Sequence, residues 1–373
     1  MNIIIGADIV PTKSNCDSFS KGIINEIIDK NLENKLRQFD FRIFNLEVPF
    51  TDKEAPIKKC GPNLIAPTSC INGIKKLGVN LFTLANNHIM DQDVQGLKST
   101  INVLKENKID YVGAGGNLGE ATKPYIIEKN GKKVGVYACA EHEFSIAEEN
   151  YPGANPFDPF ESLDHIVALK EQCDYVIVLY HGGKEHYRYP SPYLQKACRK
   201  MCDKGADLVV CQHSHCVGCE EKYNNSTIVY GQGNFIFDAK SDEFWNSSIL
   251  ISVSLIDDIK IEYVPLEKEN GIVKFAKNED VLSDFYKRSE EINEDGFIEK
   301  KYAEFSEYML QGYIYTMCGT SFPFRILNKI CGYRLKKKIS KKRVLAIQNY
   351  IECEAHRELL LKGLKEETRI KNG

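Results

Sequence analysis

The feature that most constrains this chain is a repeated alternation of short β-branched and aromatic runs with segments of helical length. Because parallel strands need a long crossover connection, usually a helix, this order predicts βαβ units and an α/β fold. The predicted strands of the first two thirds lie at Asn2–Ile5, Phe41–Phe44, Val79–Leu84, Tyr111–Val112, Lys133–Cys139, Tyr175–Tyr180, Asp207–Cys211 and Thr227–Tyr230.

Helices are predicted between several of these strands. Ser20–Gln38, Val94–Asn107 and Pro192–Lys204 carry apolar residues at helical spacing. Two further apolar runs, Ser248–Leu255 and Ile259–Val264, are separated by three residues and predict an antiparallel pair that closes the sheet region.

The character of the sequence changes after about Leu266, where it becomes dense in charge and loses strand-like alternation. A chain of 373 residues is long enough for two or three domains, or for one large domain with an appendage. We therefore predict one α/β domain over residues 1–265 and a charged helical region over residues 266–373.

The charge balance argues against a dedicated nucleic-acid binder. Lys and Arg number 49 against 52 Asp and Glu, a formal net charge of −3, so no sequence-specific nucleic-acid partner is expected. Residues 325–350 nevertheless contain nine basic residues and no acidic one. This stretch is interpreted as a solvated helix face, with peripheral contact to a membrane or a protein partner as the alternative.

The cysteine count bears on the cellular compartment in which the protein works. The number of cysteines, 13, is odd, which excludes a fully paired intramolecular disulfide framework. The first residues lack the basic and long apolar regions of a secretory signal, and a cytoplasmic location is expected. The cluster Cys198–Cys219 is interpreted as buried thiols, with redox sensing as the alternative.

Polar side chains follow five of the predicted strands. Ligands of open α/β sheets bind at the carboxyl ends of the strands, so these residues are expected to meet at one edge. Each alone would be an ordinary cap, turn or hydrogen-bonded residue, but together they offer carboxylates, amides and four of the eight histidines. Such mixed nitrogen and oxygen ligands suit Zn²⁺, Mn²⁺ or Fe. The residues are Asp8, Glu47, Asn86, Asn87, His88, His181, His213 and His215.

Over residues 2–240 the chain resembles CapA-type proteins, the poly-γ-glutamate capsule biosynthesis branch of the calcineurin-like metallophosphoesterase superfamily. Several motifs occur in the order typical of that family, which makes the resemblance specific. They are Asn45-Leu46-Glu47 with Thr51, Ala85-Asn86-Asn87-His88 with Asp91, Gly113-Ala114-Gly115 with Glu120-Ala121, His181 with Gly183 and Glu185, Gly205-Ala206-Asp207, Gln212-His213-Ser214-His215, and Tyr230-Gly231-Gln232-Gly233-Asn234-Phe235.

The resemblance implies a four-layer αββα sandwich with two divalent metal ions, Mn, Fe or Zn, at the strand ends. It implies the following ligands: Asp8 and His215 for the first ion, Glu47 between the two ions, Asn87 at the position of the superfamily's Asn ligand, and His181 and His213 for the second ion.

The same resemblance implies a catalytic role for His88, with Asp91 orienting it. Substrate contacts are expected from Glu185, Arg188 and Asn86.

The first metal position departs from the superfamily pattern. Asp8-Ile9-Val10 replaces Asp-x-His, and Glu47 replaces a bridging Asp, so the first site is expected to be weaker. A ligand from Glu141, His142 or Glu143 is the alternative.

Two functions follow. The first is a metal-dependent phosphoesterase of capsule or cell-surface polymer synthesis, acting on an anionic or phosphorylated small molecule or polymer. The second is a non-catalytic accessory protein of a polymer synthesis complex that keeps the fold with a degenerate metal site.

Overall fold

The computed structural model describes residues 1–238, 243–255, 259–277, 279–319, 322–332 and 340–370. The chain divides into two compact units, Met1–Ile298 and Glu299–Gly373. The predicted turn at 256–258 and the central part of the basic stretch, residues 333–339, lie outside the described residues.

The strands of the described residues all belong to the first unit. In chain order they are β1 (Asn2–Val10), β2 (Phe41–Leu46), β3 (Leu81–Thr83), β4 (Asp110–Val112), β5 (Ala114–Gly115), β6 (Tyr125–Lys129), β7 (Lys132–Ala140), β8 (Gly153–Ala154), β9 (Tyr175–His181), β10 (Leu208–Gln212), β11 (Glu220–Tyr223), β12 (Ser226–Tyr230), β13 (Asn234–Phe237), β14 (Ser247–Leu255), β15 (Ile259–Glu269) and β16 (Ile272–Phe275).

Helices alternate with these strands, and the elements described after β16 are all helices. They are α1 (Cys16–Lys21), α2 (Lys30–Leu36), α3 (Ile71–Leu77), α4 (Asp93–Glu106), α5 (Leu118–Ala121), α6 (Ser162–Lys170), α7 (Pro192–Asp203), α8 (Asp280–Glu291), α9 (Phe297–Cys318), α10 (Phe322–Ile330), α11 (Lys341–Glu352) and α12 (Glu354–Ile370).

Two mixed sheets form the centre of the first unit. The first has the order β16-β15-β14-β1-β2-β3-β4, with β13 also paired to β1, and the second has the order β11-β12-β10-β9-β7-β6. The strands from β1 to β4 are parallel, as are β7, β9, β10 and β12, while hairpins close the outer edges. Each predicted strand is present, including the antiparallel pair β14–β15.

The alternation of side chains along β1 shows how the layers stack. Ile3 and Ile5 pack with Ile177 of β9 in a cluster shared by the two sheets. Ile4 points the other way and packs in a cluster that includes residues of α1–α4, such as Leu97. A third cluster joins the far face of the second sheet to α6 and α7. The first unit is therefore a four-layer αββα sandwich, and the predicted fold class is confirmed.

Two local predictions are wrong. The segment Ser20–Gln38 is not one helix, because Gly22 adopts a left-handed φ of 68° that ends α1 and Asp29 caps a new start at α2. Residues after 265 are not purely helical either, since β15 continues to Glu269 and β16 follows. The first unit thus includes β16 and α8, beyond the predicted boundary at 265.

Among the residues that the structure describes, no helix is long and apolar enough to cross a bilayer. The cysteines between Cys198 and Cys219 are free and buried, as expected, and the Sγ atoms of Cys198 and Cys211 lie 3.5 Å apart.

Candidate metal centre

The predicted strand-end residues meet where the edges of the two sheets come together. Asp8 lies in β1 beside Asn45 of β2, and His181 ends β9 beside Gln212 of β10. Gly6 keeps this part of β1 close to β2, because a Cβ there would lie 2.0 Å from the ring of Phe44. The strand-end residues are all buried, at most 8% exposed: Asp8, Glu47, Asn86, Asn87, His88, His181, His213 and His215.

Four potential ligand atoms converge on one point beside His181. Its Nε2 lies 3.2 Å from Glu47 Oε1, 3.0 Å from Asn87 Oδ1 and 3.1 Å from His213 Nδ1. We call Glu47, Asn87, His181 and His213 the His181 group. One ring nitrogen carries at most one proton, so hydrogen bonding cannot account for all three close neighbours.

The spacing suits ligands of a common cation. Ligands held at about 2.0–2.1 Å around a tetrahedral ion stand roughly 3.3 Å from one another, close to the separations around His181 Nε2. Both carboxylate oxygens of Glu47 are buried and make no hydrogen bond. Buried carboxylate oxygens are costly to leave without a partner, and a metal ion would supply one.

A second set of ligand atoms shares the same carboxylate. We call Asp8, Glu47 and His215 the Asp8 group. Their ligand atoms lie within 4.8 Å of one another, and the same holds for the ligand atoms of Glu47, His181 and His213 in the His181 group. Asp8 Oδ2 is also buried without a hydrogen bond. The structure thus brings together the predicted residues in two sets with Glu47 common to both. Val10 packs in the apolar cluster beside α1–α4 and adds no ligand.

The charges of these residues are strongly coupled. Burial raises the pKa of Asp8, and Glu47 raises it further. Burial alone would raise the pKa of Glu47, but His215 and His181 hold it well below its usual value. Burial would lower the pKa of His215, yet Glu47 and Asp8 raise it to about 9. Burial and the neighbouring imidazoles lower the pKa of His213. Glu47 is therefore ionised and His213 neutral, the states that bind metal.

Two buried asparagines orient the ligands. Asn45 Nδ2 donates to Asp8 Oδ1 at 2.7 Å and lies 3.3 Å from His181 Nδ1, which connects the two groups. Asn234 Oδ1 lies 2.8 Å from Nδ1 of His215. Both asparagines belong to the motifs quoted above, but no local sequence pattern assigned them this role.

Glu143 supports the His181 group from the solvent side. Its Oε2 accepts a hydrogen bond from Asn87 Nδ2 at 3.3 Å, and its Oε1 lies 3.7 Å from His213 Nε2. Glu141 instead accepts from the backbone N–H of Gly183. The acidic loop therefore contacts the His181 group, and the alternative in which Glu143 completes the first site does not match this geometry.

His88 and Asp91 form the predicted pair. His88 Nδ1 lies 2.6 Å from Asp91 Oδ2, which also accepts from the backbone N–H of Leu64. The sequence did not predict the third member, Lys59, whose Nζ contacts the other oxygen of Asp91 and lies 3.2 Å from His88 Nδ1. The Lys59 side chain is only 2% exposed. A lysine in a polar loop gives no sequence signal that it will be buried.

The loop after β10 divides its two histidines between the groups. His213 and His215 both have left-handed backbone conformations, with φ of 84° and 53°. Such conformations are costly for residues with a Cβ and concentrate at functional sites. The bent loop directs His213 to the His181 group and His215 to the Asp8 group.

The three residues expected to contact substrate have different surroundings. Asn86 is fully buried and its amide nitrogen donates to Asn45 Oδ1 and the carbonyl of Leu46. Glu185 is exposed, and it is not part of either ligand group found among the described residues. Arg188 donates to the carbonyl of Val217 at 3.1 Å. Their contacts with substrate remain predictions.

An aromatic wall covers one side of the Asp8 group. The only tryptophan, Trp245, stacks on His215 with ring centroids 4.9 Å apart and an interplanar angle of 23°. Its Nε1 donates to His186 Nε2 at 3.1 Å, and Phe244 stacks on His186 with ring centroids 5.2 Å apart.

Residues 5–239 match the family model "Bacterial capsule synthesis protein PGA_cap". The chain is 29% identical over 272 residues to "Capsule biosynthesis protein CapA" of Bacillus anthracis, covering 68% of this chain and 65% of that protein. It is 34% identical over 168 residues to "PGA biosynthesis protein CapA" of Bacillus subtilis (strain 168), covering 44% of each. The chain thus spans less than two thirds of these relatives.

A more distant relative is a "Probable polyglutamine synthesis accessory protein" of Mycobacterium tuberculosis, 27% identical over 53% of this chain and 56% of that one. Among solved structures, a putative 5'-nucleotidase from Staphylococcus aureus aligns with 76% of this chain and 56% of its own, at 15% identity and a TM-score of 0.45. A phosphatase from Mycoplasma pneumoniae aligns with 72% and 94%, at 17% identity and a TM-score of 0.43.

Proposed function

The chain belongs to the bacterial capsule synthesis family PGA_cap, and from this premise we propose that it is a metal-dependent phosphoesterase of capsule or cell-surface polymer synthesis. The polymer we propose is of the poly-γ-glutamate type, as the names of the Bacillus relatives suggest for those proteins. The free, buried thiols of the described residues suit a reducing compartment, and we place its action in the cytoplasm.

The observation that carries this proposal is the carboxylate of Glu47, which is buried without a hydrogen bond and common to two sets of ligand atoms. The His181 group would hold one divalent ion, Mn, Fe or Zn, and the Asp8 group the other. The Asp8 group has fewer ligands and would be the weaker site. Two such ions, when bound, activate water and stabilise the attacking and leaving oxygens of a phosphoryl transfer.

His88 would supply the proton chemistry. Asp91 and Lys59 hold its Nδ1 side, which leaves Nε2 as the ring nitrogen able to exchange a proton with a leaving oxygen. Burial of the pair fixes the imidazole in one orientation and limits the access of competing water. In this role His88 is the catalytic residue, and Asp91 and Lys59 position it.

The expected substrate is anionic. Asp8 and Glu47 are the carboxylates of the two ligand groups, and their charge would not balance two divalent cations. The remaining excess of positive charge favours a phosphate group. Arg188, whose guanidinium lies 4.7 Å from the ring of Phe244, is held near the aromatic wall and is proposed to contact the anion.

The test combines metal analysis with hydrolysis of p-nitrophenyl phosphate and its bis-ester in added Mn²⁺. We expect two metal ions per chain in the wild type and hydrolysis that falls by about 100-fold or more in His88→Ala with the metal content retained. His165→Ala is the matched control, because His165 contacts Tyr137 outside the site. Less than one ion per chain and no hydrolysis with any divalent metal would reject the enzyme.

A specific observation favours a second candidate function. Val10 occupies the position where the resemblance calls for a ligand, and it is buried in an apolar cluster. A protein with one retained ion, or none, could act as a non-catalytic accessory component of a polymer synthesis complex. One ion per chain or fewer, with no hydrolysis of either ester under any divalent metal, would support this function.

A further inference from the structure

In the helices of the second unit, exposed apolar side chains lie next to basic ones. A helix surface that faces only water does not require such exposed apolar groups. Within α10, Ile326, Leu327 and Ile330 are 47%, 52% and 76% exposed. Ile326 and Ile330 are four residues apart and Leu327 is three before Ile330, so the three side chains share one face of the helix. Asn328, on the opposite side, is buried.

Basic residues border this apolar face. Arg325 and Lys329 each directly precede an apolar member of the face, and both are exposed. At about 100° per residue, Lys329 lies roughly 60° from Ile326, at the edge of the stripe, and Arg325 lies about 100° from Ile326, further round on the same side. The result is a helix with an exposed apolar stripe and a cationic margin, the pattern of helices that lie in a membrane interface.

The start of α11 carries a second set of cations. Ser340 caps this helix by accepting a hydrogen bond from the backbone N–H of Arg343. Lys341, Lys342 and Arg343 occupy the first turn, and all three are exposed. Cations at a helix N-terminus oppose the helix dipole. Helix stability therefore does not explain their position, whereas an anionic partner would.

We propose that α10 and the first turn of α11 bind an anionic membrane surface. The charge suits acidic lipid headgroups, and the basic stretch contains no acidic residue over residues 325–350. A soluble polyanion would explain the cations but not the exposed side chains of Ile326, Leu327 and Ile330. These apolar groups would enter the boundary between headgroups and acyl chains.

The experiment is co-sedimentation of the full chain with vesicles of equal parts phosphatidylglycerol and phosphatidylcholine, and with pure phosphatidylcholine vesicles. We expect binding to the mixed vesicles only. Replacing Lys341, Lys342 and Arg343 by Gln should weaken binding on the order of 100-fold, since each cation near an anionic surface contributes about fivefold.

Two further variants separate charge from apolar insertion. The triple change of Ile326, Leu327 and Ile330 to Ser should weaken vesicle binding by about tenfold or more. The control replaces Lys75, Lys76 and Lys98 by Gln, three exposed cations of the first unit, and should bind as the wild type does.

Circular dichroism checks that each variant is folded. Equal binding to both vesicle types, or equal loss in the control triple, would overturn the proposal. Binding to heparin that is insensitive to the Ser variant, without vesicle binding, would also overturn it and indicate a soluble polyanion. These measurements do not depend on metal content or hydrolysis. A negative vesicle result would therefore reject the membrane proposal without affecting the proposed function, and the reverse also holds.

Discussion

Lys59 and Asp91 form an ion pair that is almost completely shielded from solvent, with side chains 2% and 0% exposed, and the same carboxylate binds the imidazole of His88. A buried pair contributes little by itself because both charges lose hydration. Removing one partner is different, since it leaves the other charge buried without compensation.

Lys59→Met is therefore expected to lower the free energy of unfolding by roughly 3 kcal/mol. Adding Asp91→Asn should cost less than the sum of the two single changes, because no isolated charge then remains. Urea denaturation followed by the fluorescence of Trp245 measures each value. Lys53→Met, at an exposed lysine of the same connecting segment, should change stability by less than about 0.5 kcal/mol. Strictly additive effects would show that the pair is not coupled.

The carboxylate of Glu47 is common to both ligand groups, and this predicts how many ions each ligand substitution removes. Glu47→Gln keeps the shape of the side chain but removes the charge that both ligand groups use, so loss of both ions is expected. Asp8→Asn should release only one ion, because the His181 group remains complete. Inductively coupled plasma mass spectrometry of each purified variant provides the counts. One fully retained ion in Glu47→Gln would mean that the carboxylate is not shared.

Glu143 tests whether residues outside the ligand groups tune metal affinity. It contacts Asn87 and His213 from the solvent side. Glu143→Gln is expected to weaken metal binding by about 10- to 100-fold, the usual effect of losing a partner that orients metal ligands. Because Glu143 is exposed, the melting temperature of the Glu143→Gln variant should stay near that of the wild type.

Titration calorimetry with Mn²⁺ on the metal-stripped protein measures the affinity of Glu143→Gln. Glu185→Gln, at an exposed acid outside both ligand groups, is the matched control. Equal affinity in the two variants would assign Glu143 to the solvated surface.

Much of this architecture could be predicted from local patterns. Apolar runs located the parallel strands, and the rule that strand ends meet at one edge selected Asp8, Glu47 and His181 before any geometry was known. The division of His213 and His215 between two groups depends on left-handed backbone conformations that follow from the packing of the loop.

Other parts of the site depend on contacts that no local pattern encodes. The side chain of Lys59 is buried by a loop that reaches Asp91 from 32 residues earlier in the chain. Asn45 acts through bonds to two different sheets. The break at Gly22 within a continuous helical pattern also required the tertiary structure, because glycine is tolerated in some helices and ends others.

The cysteines provide a prediction independent of the metal centre. Cys60 and Cys331 are exposed, whereas Cys198, Cys202 and Cys219 are buried. Burial raises the pKa of Cys202 to about 12, so it has little thiolate at neutral pH. Iodoacetamide should label Cys60 and Cys331 of the native protein first, as read by peptide mass spectrometry. Rapid native labelling between Cys198 and Cys219 would instead support redox sensing.

The fluorescence of Trp245 should respond directly to metal binding at the Asp8 group. This residue is the only tryptophan, it is 4% exposed, and its ring stacks on His215. Adding Mn²⁺ to the metal-stripped protein should quench its emission, because a paramagnetic ion beside His215 would lie close to the indole.

The variants decide which ligand group the fluorescence reports. Asp8→Asn should lose most of the quenching, since it removes a ligand of the ion nearest His215. His213→Ala should keep it, because it weakens only the His181 group, and Trp245→Phe sets the background. Quenching that disappears in His213→Ala and persists in Asp8→Asn would place the ion away from the aromatic wall and contradict the assignment of His215 to the Asp8 group.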